Sequence, residues 1–233
     1  GTIFFSNCTG RCLFCQNYPI SQLGNGQTIT DDRLASMMLE LQRMGCHNIN
    51  LVTPTHYVPQ ILRATERAAA KGLHIPLVYN TSGYERVDTL ELLDGVVDIY
   101  LPDAKYADDA VARELSGFDG YVEANRAALH EMRRQVGSSL QIDDQGIAIR
   151  GMVIRHLVLP EGLSQTREVL AWIARELGTE SFVSLMAQYF PTYKASEHPP
   201  LDRRISRAEY RDTLRALDEF SLDNGWRQHY TPW

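Results

Sequence analysis

No run in this 233-residue chain approaches the roughly 18 consecutive apolar residues that a membrane span needs, and no charged-then-apolar leader precedes a cleavage site. The expectation is a cytoplasmic protein with no membrane partner. A basic excess is missing too: 23 Lys and Arg against 29 Asp and Glu leave a formal net charge of −6, so no footprint for nucleic acid is present. Cysteine is scarce, at four. The single CxxC pair has no second pair to complete a four-ligand zinc site, and three clustered cysteines would leave an odd thiol in any disulfide framework. Internal repeats, low-complexity tracts and a starting methionine are also lacking. The chain opens on Gly1, and the expectation is one domain over 1–233 without an N-terminal segment that precedes it.

What is present is ordinary globular composition, 44% hydrophobic and 22% charged. Short β-branched runs alternate with segments of helical period, the mark of βα units around a parallel sheet. Six strands are expected, at 2–6, 48–53, 75–80, 97–102, 152–159 and 182–187. Helices are expected at about 31–45, 57–72, 85–94, 106–116, 121–136, 164–178 and 206–224. In the first, Thr30 or Asp31 is a natural N-cap, Leu34, Met37, Met38 and Leu41 form one stripe, and Gly45 closes it. The stretch 141–149 reads as a turn ahead of the fifth strand, and 191–206 as a long surface loop. The fold class is α/β, an incomplete parallel (β/α)6 barrel with its functional residues at the strands' C-terminal ends.

The stretch "SNCTGRCLFCQNYPIS", residues 6–21, follows the first strand directly and packs Cys8, Cys12 and Cys15 into eight positions. Three thiolates suit a [4Fe-4S] cube in which one iron keeps a position open to a small chelating molecule. The plainer alternative is a set of scattered buried thiols. Cys46, the fourth cysteine, sits before the second strand, at the other end of the barrel and on the order of 15 Å from the cluster loop at roughly 3.3 Å per strand residue. It is expected to be a packing residue.

"CTGRCLFC" has the CxxxCxxC spacing with an aromatic residue before the last cysteine, and it resembles the signature loop of the radical S-adenosylmethionine (radical SAM) superfamily. "QNYPIS" after it is similar to the group of pyruvate formate-lyase-activating-enzyme homologues. The resemblance implies a radical SAM barrel. It implies a cluster held by Cys8, Cys12 and Cys15, S-adenosylmethionine on the open iron, and an electron donor such as flavodoxin or ferredoxin. Reductive cleavage of the cofactor would yield a 5′-deoxyadenosyl radical that abstracts hydrogen.

By the same resemblance several residues fall near the cofactor. Asn17 can bond the cofactor or its own loop. Asn80 and Thr81 end the third strand beside a tight turn at Gly83, and Asn80 stands where activating enzymes often carry aspartate. Asp103 and Lys105, two apart on an extended segment, resemble a DxK element that meets the cofactor, the alternative being a rim salt bridge. Arg155 matches an arginine of the family, while His156 points the other way and reads as a core or outer-face residue. "LVTPTHY" replaces the family's Gly-Gly-Glu-Pro element, so that Thr53, Thr55 and His56 would supply acceptors there. Gln188, with Tyr189 and Tyr193, is expected to touch substrate or adenine.

Three functions follow as alternatives. One is activation of a partner enzyme by removing hydrogen from a glycine. Another is epimerisation, dehydrogenation or rearrangement of a small molecule or sugar. The last is electron carriage without catalysis. The carrier reading is weakest, because cofactor-type residues on several strands exceed what wrapping one cluster requires.

Overall fold

The computed structural model describes residues 1–230. Its strands in chain order are β1 (Thr2–Phe4), β2 (Ile49–Val52), β3 (Leu77–Thr81), β4 (Ile99–Pro102), β5 (Gln141–Ile142), β6 (Ala148–Leu157), β7 (Phe182–Met186) and β8 (Gly225–Arg227). They form one sheet in the order β1-β2-β3-β4-β6-β7-β8, every neighbouring pair parallel, with β5 turned back antiparallel on β6. The helices are α1 (Tyr18–Ser21), α2 (Asp31–Arg43), α3 (Val58–Ala69), α4 (Val87–Glu91), α5 (Asp109–Ser116), α6 (Tyr121–Val136), α7 (Thr166–Trp172) and α8 (Arg207–Glu219). The molecule is an incomplete parallel α/β barrel whose open edges are β1 and β8.

All six expected strands are present, within a few residues of their expected ends. The short strand β8 was not expected, because three residues that begin with glycine carry no alternation to read. The helix expected over 206–224 stops at Glu219, just ahead of Ser221, which has a left-handed φ of 54°. The one expected over 164–178 starts at Thr166 and finishes in a π-type turn, Ile173–Leu177. Thr30 caps α2 by accepting from the Arg33 N–H at 3.2 Å.

Strand parity decides what is core. Leu77 and Tyr79 on β3, Tyr100 on β4, Ile154 on β6 and Leu185 on β7 turn toward the helices and are buried. One cluster joins Tyr79, Tyr100, Ile154 and Leu185 to Leu129 and Met132 of α6 and Leu170 of α7. A second joins Ile3, Leu51 and Leu77 to Leu34 and Met38 of α2 and Ile61 of α3. Each such large side chain is worth about 1.5–3 kcal/mol of burial, which fixes the barrel wall and leaves the alternate residues facing the lumen. The long segment 191–206 has no α-helix, as expected, yet it is no mere surface loop: Ala195, Leu201 and Ile205 are buried in the first cluster.

Candidate functional site

The loop that leaves β1 carries the cysteines and is pinned along its length. Arg11 N–H donates to the Ser116 carbonyl at 2.7 Å and Leu13 N–H to that of Leu115 at 2.9 Å, which ties the loop to the end of α5. Phe14 is buried against Tyr189, ring centroids 5.9 Å apart. Gly10 is required by close approach, because a Cβ there would lie 2.5 Å from the Phe118 ring. Its N–H donates to Cys8 Sγ at 3.3 Å, and Cys15 Sγ lies 3.0 Å from Ser21 Oγ.

All three thiols are half-buried and lie within electrostatic reach of one another. Burial pushes the Cys12 thiol up to about 11, and Lys105 opposes that rise. Burial also raises Cys8, again against the pull of the Gly10 N–H and Lys105. A cation set beside soft thiols favours their ionised, metal-binding form. Among the described residues, no three His, Cys, Asp or Glu side chains are gathered around a single-ion site. The donor set, three thiols on one loop facing a lysine, fits a multi-iron cluster with three protein ligands.

Beyond β4, Asp103 Oδ2 accepts from Lys105 Nζ at 2.6 Å, and Asp103 Oδ1 lies 2.6 Å from Arg155 Nη2 of β6. The three side chains are only 13%, 17% and 25% exposed, so this is no rim salt bridge. Burial alone would raise the Asp103 carboxyl, but Arg155 and Lys105 outweigh it and hold it below the usual range. For Lys105, burial pulls down while Asp103 and then Cys12 push up, and the ammonium stays charged. The Arg155 Nε–H is buried without a partner. At the neighbouring turn Gly83 has a φ of 72°, and an added Cβ there would meet the Asp103 carbonyl at 2.3 Å.

The remaining expected residues divide. Asn17 is exposed at the start of α1, and its side chain does not cap that helix. Asn80 follows the lumen parity of Val78, and its carbonyl accepts from the Thr53 N–H at 3.0 Å. Thr53 itself sits at a φ of 60°, a strained place for a β-branched residue. His56 Nε2 lies 2.9 Å from the Ser6 carbonyl and so braces the cysteine loop. Gln188 is exposed beside that loop, its carbonyl accepting from Gln16 Nε2 at 3.4 Å. Tyr193 stacks on Tyr18, centroids 5.1 Å apart.

One expectation needs correcting, and two of the expected residues gain a partner that was not foreseen. The hydroxyl protons of Thr55 and Thr81 both go to Glu85, while their oxygens can still accept: Thr55 Oγ1 donates to Glu85 Oε1 at 2.6 Å, and Thr81 Oγ1 donates to the same oxygen. Tyr189 is 1% exposed, its hydroxyl donating to the Leu201 carbonyl at 2.6 Å, so it is a core residue. Of the two places expected for His156, core and outer face, it takes the core. Its Nδ1 and Nε2 meet the Ala104 carbonyl and Thr166 Oγ1 at 2.6 and 2.9 Å, and burial drives its pKa down to about 4.

Glu85 itself escaped sequence reasoning. It is 5% exposed, also accepts from the Tyr79 hydroxyl at 3.3 Å, and has no cationic partner among these bonds. Burial pushes its carboxyl up to about 7 against the pull of Thr55, Thr81 and Tyr79. A lone glutamate after "SGY" carries no spacing signal that could have found it. Also missed was the lumen, a cavity of about 350 Å³ lined by Asn50, Val78, Leu101, Arg155, Ser184 and Trp226 among others. Polar residues at lumen parity inside apolar strand runs, Asn50 in "INLV" and Ser184 in "FVSLM", were the available sign.

Comparison with known proteins agrees with this arrangement. The family model for the Radical SAM superfamily matches residues 2–143. An uncharacterized protein of Methanocaldococcus jannaschii is 31% identical over 231 residues, covering 95% of this chain, which spans 63% of that relative's length. Among solved structures the barrel is similar to HydG, a maturase of the FeFe-hydrogenase, at a TM-score of 0.62 and 11% identity, over 98% of this chain and 52% of HydG. HydG from Carboxydothermus hydrogenoformans gives 0.59 and 14%, over 97% and 52% of the two chains. Methylornithine synthase (PylB) gives 0.56 and 14%, over 93% and 62%. These structural likenesses speak for the fold.

Proposed function

The chain belongs to the radical SAM superfamily, whose members use a [4Fe-4S] cluster and S-adenosylmethionine, and from that premise we propose that Cys8, Cys12 and Cys15 hold the cluster of a hydrogen-abstracting enzyme. A [4Fe-4S] cluster held there would supply one-electron reductive cleavage of S-adenosylmethionine. The chain's own residues bind and orient. Lys105, held between Asp103 and the cysteine loop, offers a charge-assisted bond to the cofactor's carboxylate, and Arg155 fixes Asp103 in turn. His56 braces the loop at the Ser6 carbonyl. Asn17, Thr53, Asn80 and Gln188 stand at the same end, where their amides and backbone groups can meet the rest of the cofactor. Reduction would draw on an acidic electron carrier of the flavodoxin or ferredoxin kind.

The observation that carries this reading is the convergence of three thiols and a buried, charged lysine at the C-terminal end of a parallel barrel. For the substrate, the 350 Å³ lumen beneath the site is of the size that small-molecule pockets occupy, and it supports a small molecule. The likeness of "QNYPIS" to activating enzymes supports a second reading, hydrogen removal from a glycine of a partner enzyme.

Anaerobically reconstituted protein given dithionite and S-adenosylmethionine should form 5′-deoxyadenosine, slowly without substrate. Lys105→Met should keep the iron but bind the cofactor about tenfold or more weakly, since a charge-assisted bond is worth about 1.5–3 kcal/mol. Wild-type protein that keeps its iron yet never forms 5′-deoxyadenosine would refute the proposed function, and unchanged affinity in the variant would remove Lys105 from the cofactor site.

A further inference from the structure

Strand register sets four lumen residues in one row. Asp103 lies opposite Arg155, Arg155 opposite Ser184, and Ser184 opposite Trp226, across β4, β6, β7 and β8. Adjacent strands are about 4.8 Å apart, so Arg155, Ser184 and Trp226 span about 10 Å of wall. All three line the cavity. Each brings an N–H or O–H, and two of them, guanidinium and indole, can only donate. The Arg155 Nε–H is already buried with nothing to receive it. Asp103 faces both Lys105 and Arg155, and with Lys105 turned to the cofactor's carboxylate it is the Arg155 guanidinium that brings positive charge to the row, beside an Asp103 Oδ1 that itself lacks a hydrogen-bond partner.

Elsewhere on the cavity wall the demand is opposite. Asn50 Oδ1, on β2, is a buried acceptor with no donor. Between it and the row the wall is apolar, made by Val78, Ile99, Leu101 and Val153. A buried polar group left unpaired is costly, so a molecule that satisfied both ends would gain at each.

We propose that the lumen binds a small organic acid, its anionic oxygens on the Arg155–Ser184–Trp226 row, its carbon chain against the apolar wall, and a hydroxyl or amine donating to Asn50 Oδ1. This rests on the small-molecule reading of the enzyme's substrate and names its class. The anion is a carboxylate or a phosphate, which share the acceptor chemistry the row requires.

The test titrates reconstituted protein, with S-adenosylmethionine present, with butyrate, 4-hydroxybutyrate, butyl phosphate and the neutral 1,4-butanediol, using ligand-observed NMR. The acids should bind at least about tenfold more tightly than the diol, as expected for charge-assisted bonds. Ser184→Ala and Ser184→Val should each weaken acid binding about fivefold or more. Asn50→Leu should reduce 4-hydroxybutyrate to the affinity of butyrate while leaving butyrate itself unchanged. Tighter binding of butyl phosphate than of butyrate would support the row and assign its anion as phosphate; the reverse order would assign a carboxylate. Binding of the diol as tight as that of the acids, or acid affinity unmoved in both Ser184 variants and in Arg155→Gln, would overturn the proposal. 5′-Deoxyadenosine is measured on the same samples: its formation without acid binding sinks this inference alone, and acid binding without it sinks the radical reading and leaves the acid site standing.

Discussion

Glu85 shows what a single residue can hide. Its carboxyl is buried under three hydroxyls, and its pKa of about 7 lies above the 4.5 of an unperturbed glutamate. Between those values the folded chain holds the proton and the unfolded chain does not, so the contribution to stability is full below pH 4.5 and is lost as pH rises through 7. At about 1.4 kcal/mol per unit, the loss amounts to about 3 kcal/mol. Glu85→Gln keeps an acceptor for Thr55 and Thr81 and carries no charge, so urea unfolding at pH 8 should show it more stable than wild type, with the difference shrinking as pH falls through 7 and vanishing only below pH 4.5. An equal pH slope in both proteins would show that the carboxyl is not perturbed. His156 works with the opposite sign: its pKa is held near 4 by burial, so its contribution is full above pH 6.5 and is lost as pH falls toward 4. Parity against Arg155 turned His156 away from the lumen but left core and outer face open, and the structure decides for the core. Sequence alone missed the partner of Thr55 and Thr81, because nothing in "LVTPTHY" or "YNTSGY" reveals a carboxylate reaching between two loops.

At the scale of elements, alternation within strands was the most legible signal. It placed Asp103 and Lys105 on one side and separated Arg155 from His156, and the structure follows that parity. It could not reveal that Asp103, Lys105 and Arg155 join, since partnership across β4 and β6 depends on register that no local pattern encodes. The end of β2 was the least legible place. Thr53 turns the chain at a φ of 60°, where a β-branched residue is strained by about 1–3 kcal/mol. Glycine relieves that strain at a smaller cost in chain entropy. Thr53→Gly should therefore raise stability by about 1 kcal/mol, seen as a higher urea midpoint at constant m-value. A lower midpoint would mean that contacts of the threonine side chain, and not the backbone, hold this turn.

Across the whole molecule, the barrel order and the placement of the cysteine loop were readable because each βα unit writes its own period into the chain. The lumen was not, because the cavity belongs to six strands at once and its polar residues look like isolated exceptions in apolar runs. Cys46 also follows from topology. Its N–H bonds the Leu41 carbonyl just past α2, and its sulfur lies near Gly1, at the start of the strand whose far end leads to Cys8. The central claim is that three cysteines of one loop, and not the fourth, hold an iron–sulfur cluster. Iron and sulfide counting on anaerobically reconstituted protein tests it most directly. Wild type and Cys46→Ala should each hold about four irons and four sulfides per chain, and Cys8→Ala, Cys12→Ala and Cys15→Ala should each lose most of both. Full iron in any of those three variants, or its loss in Cys46→Ala, would contradict the account.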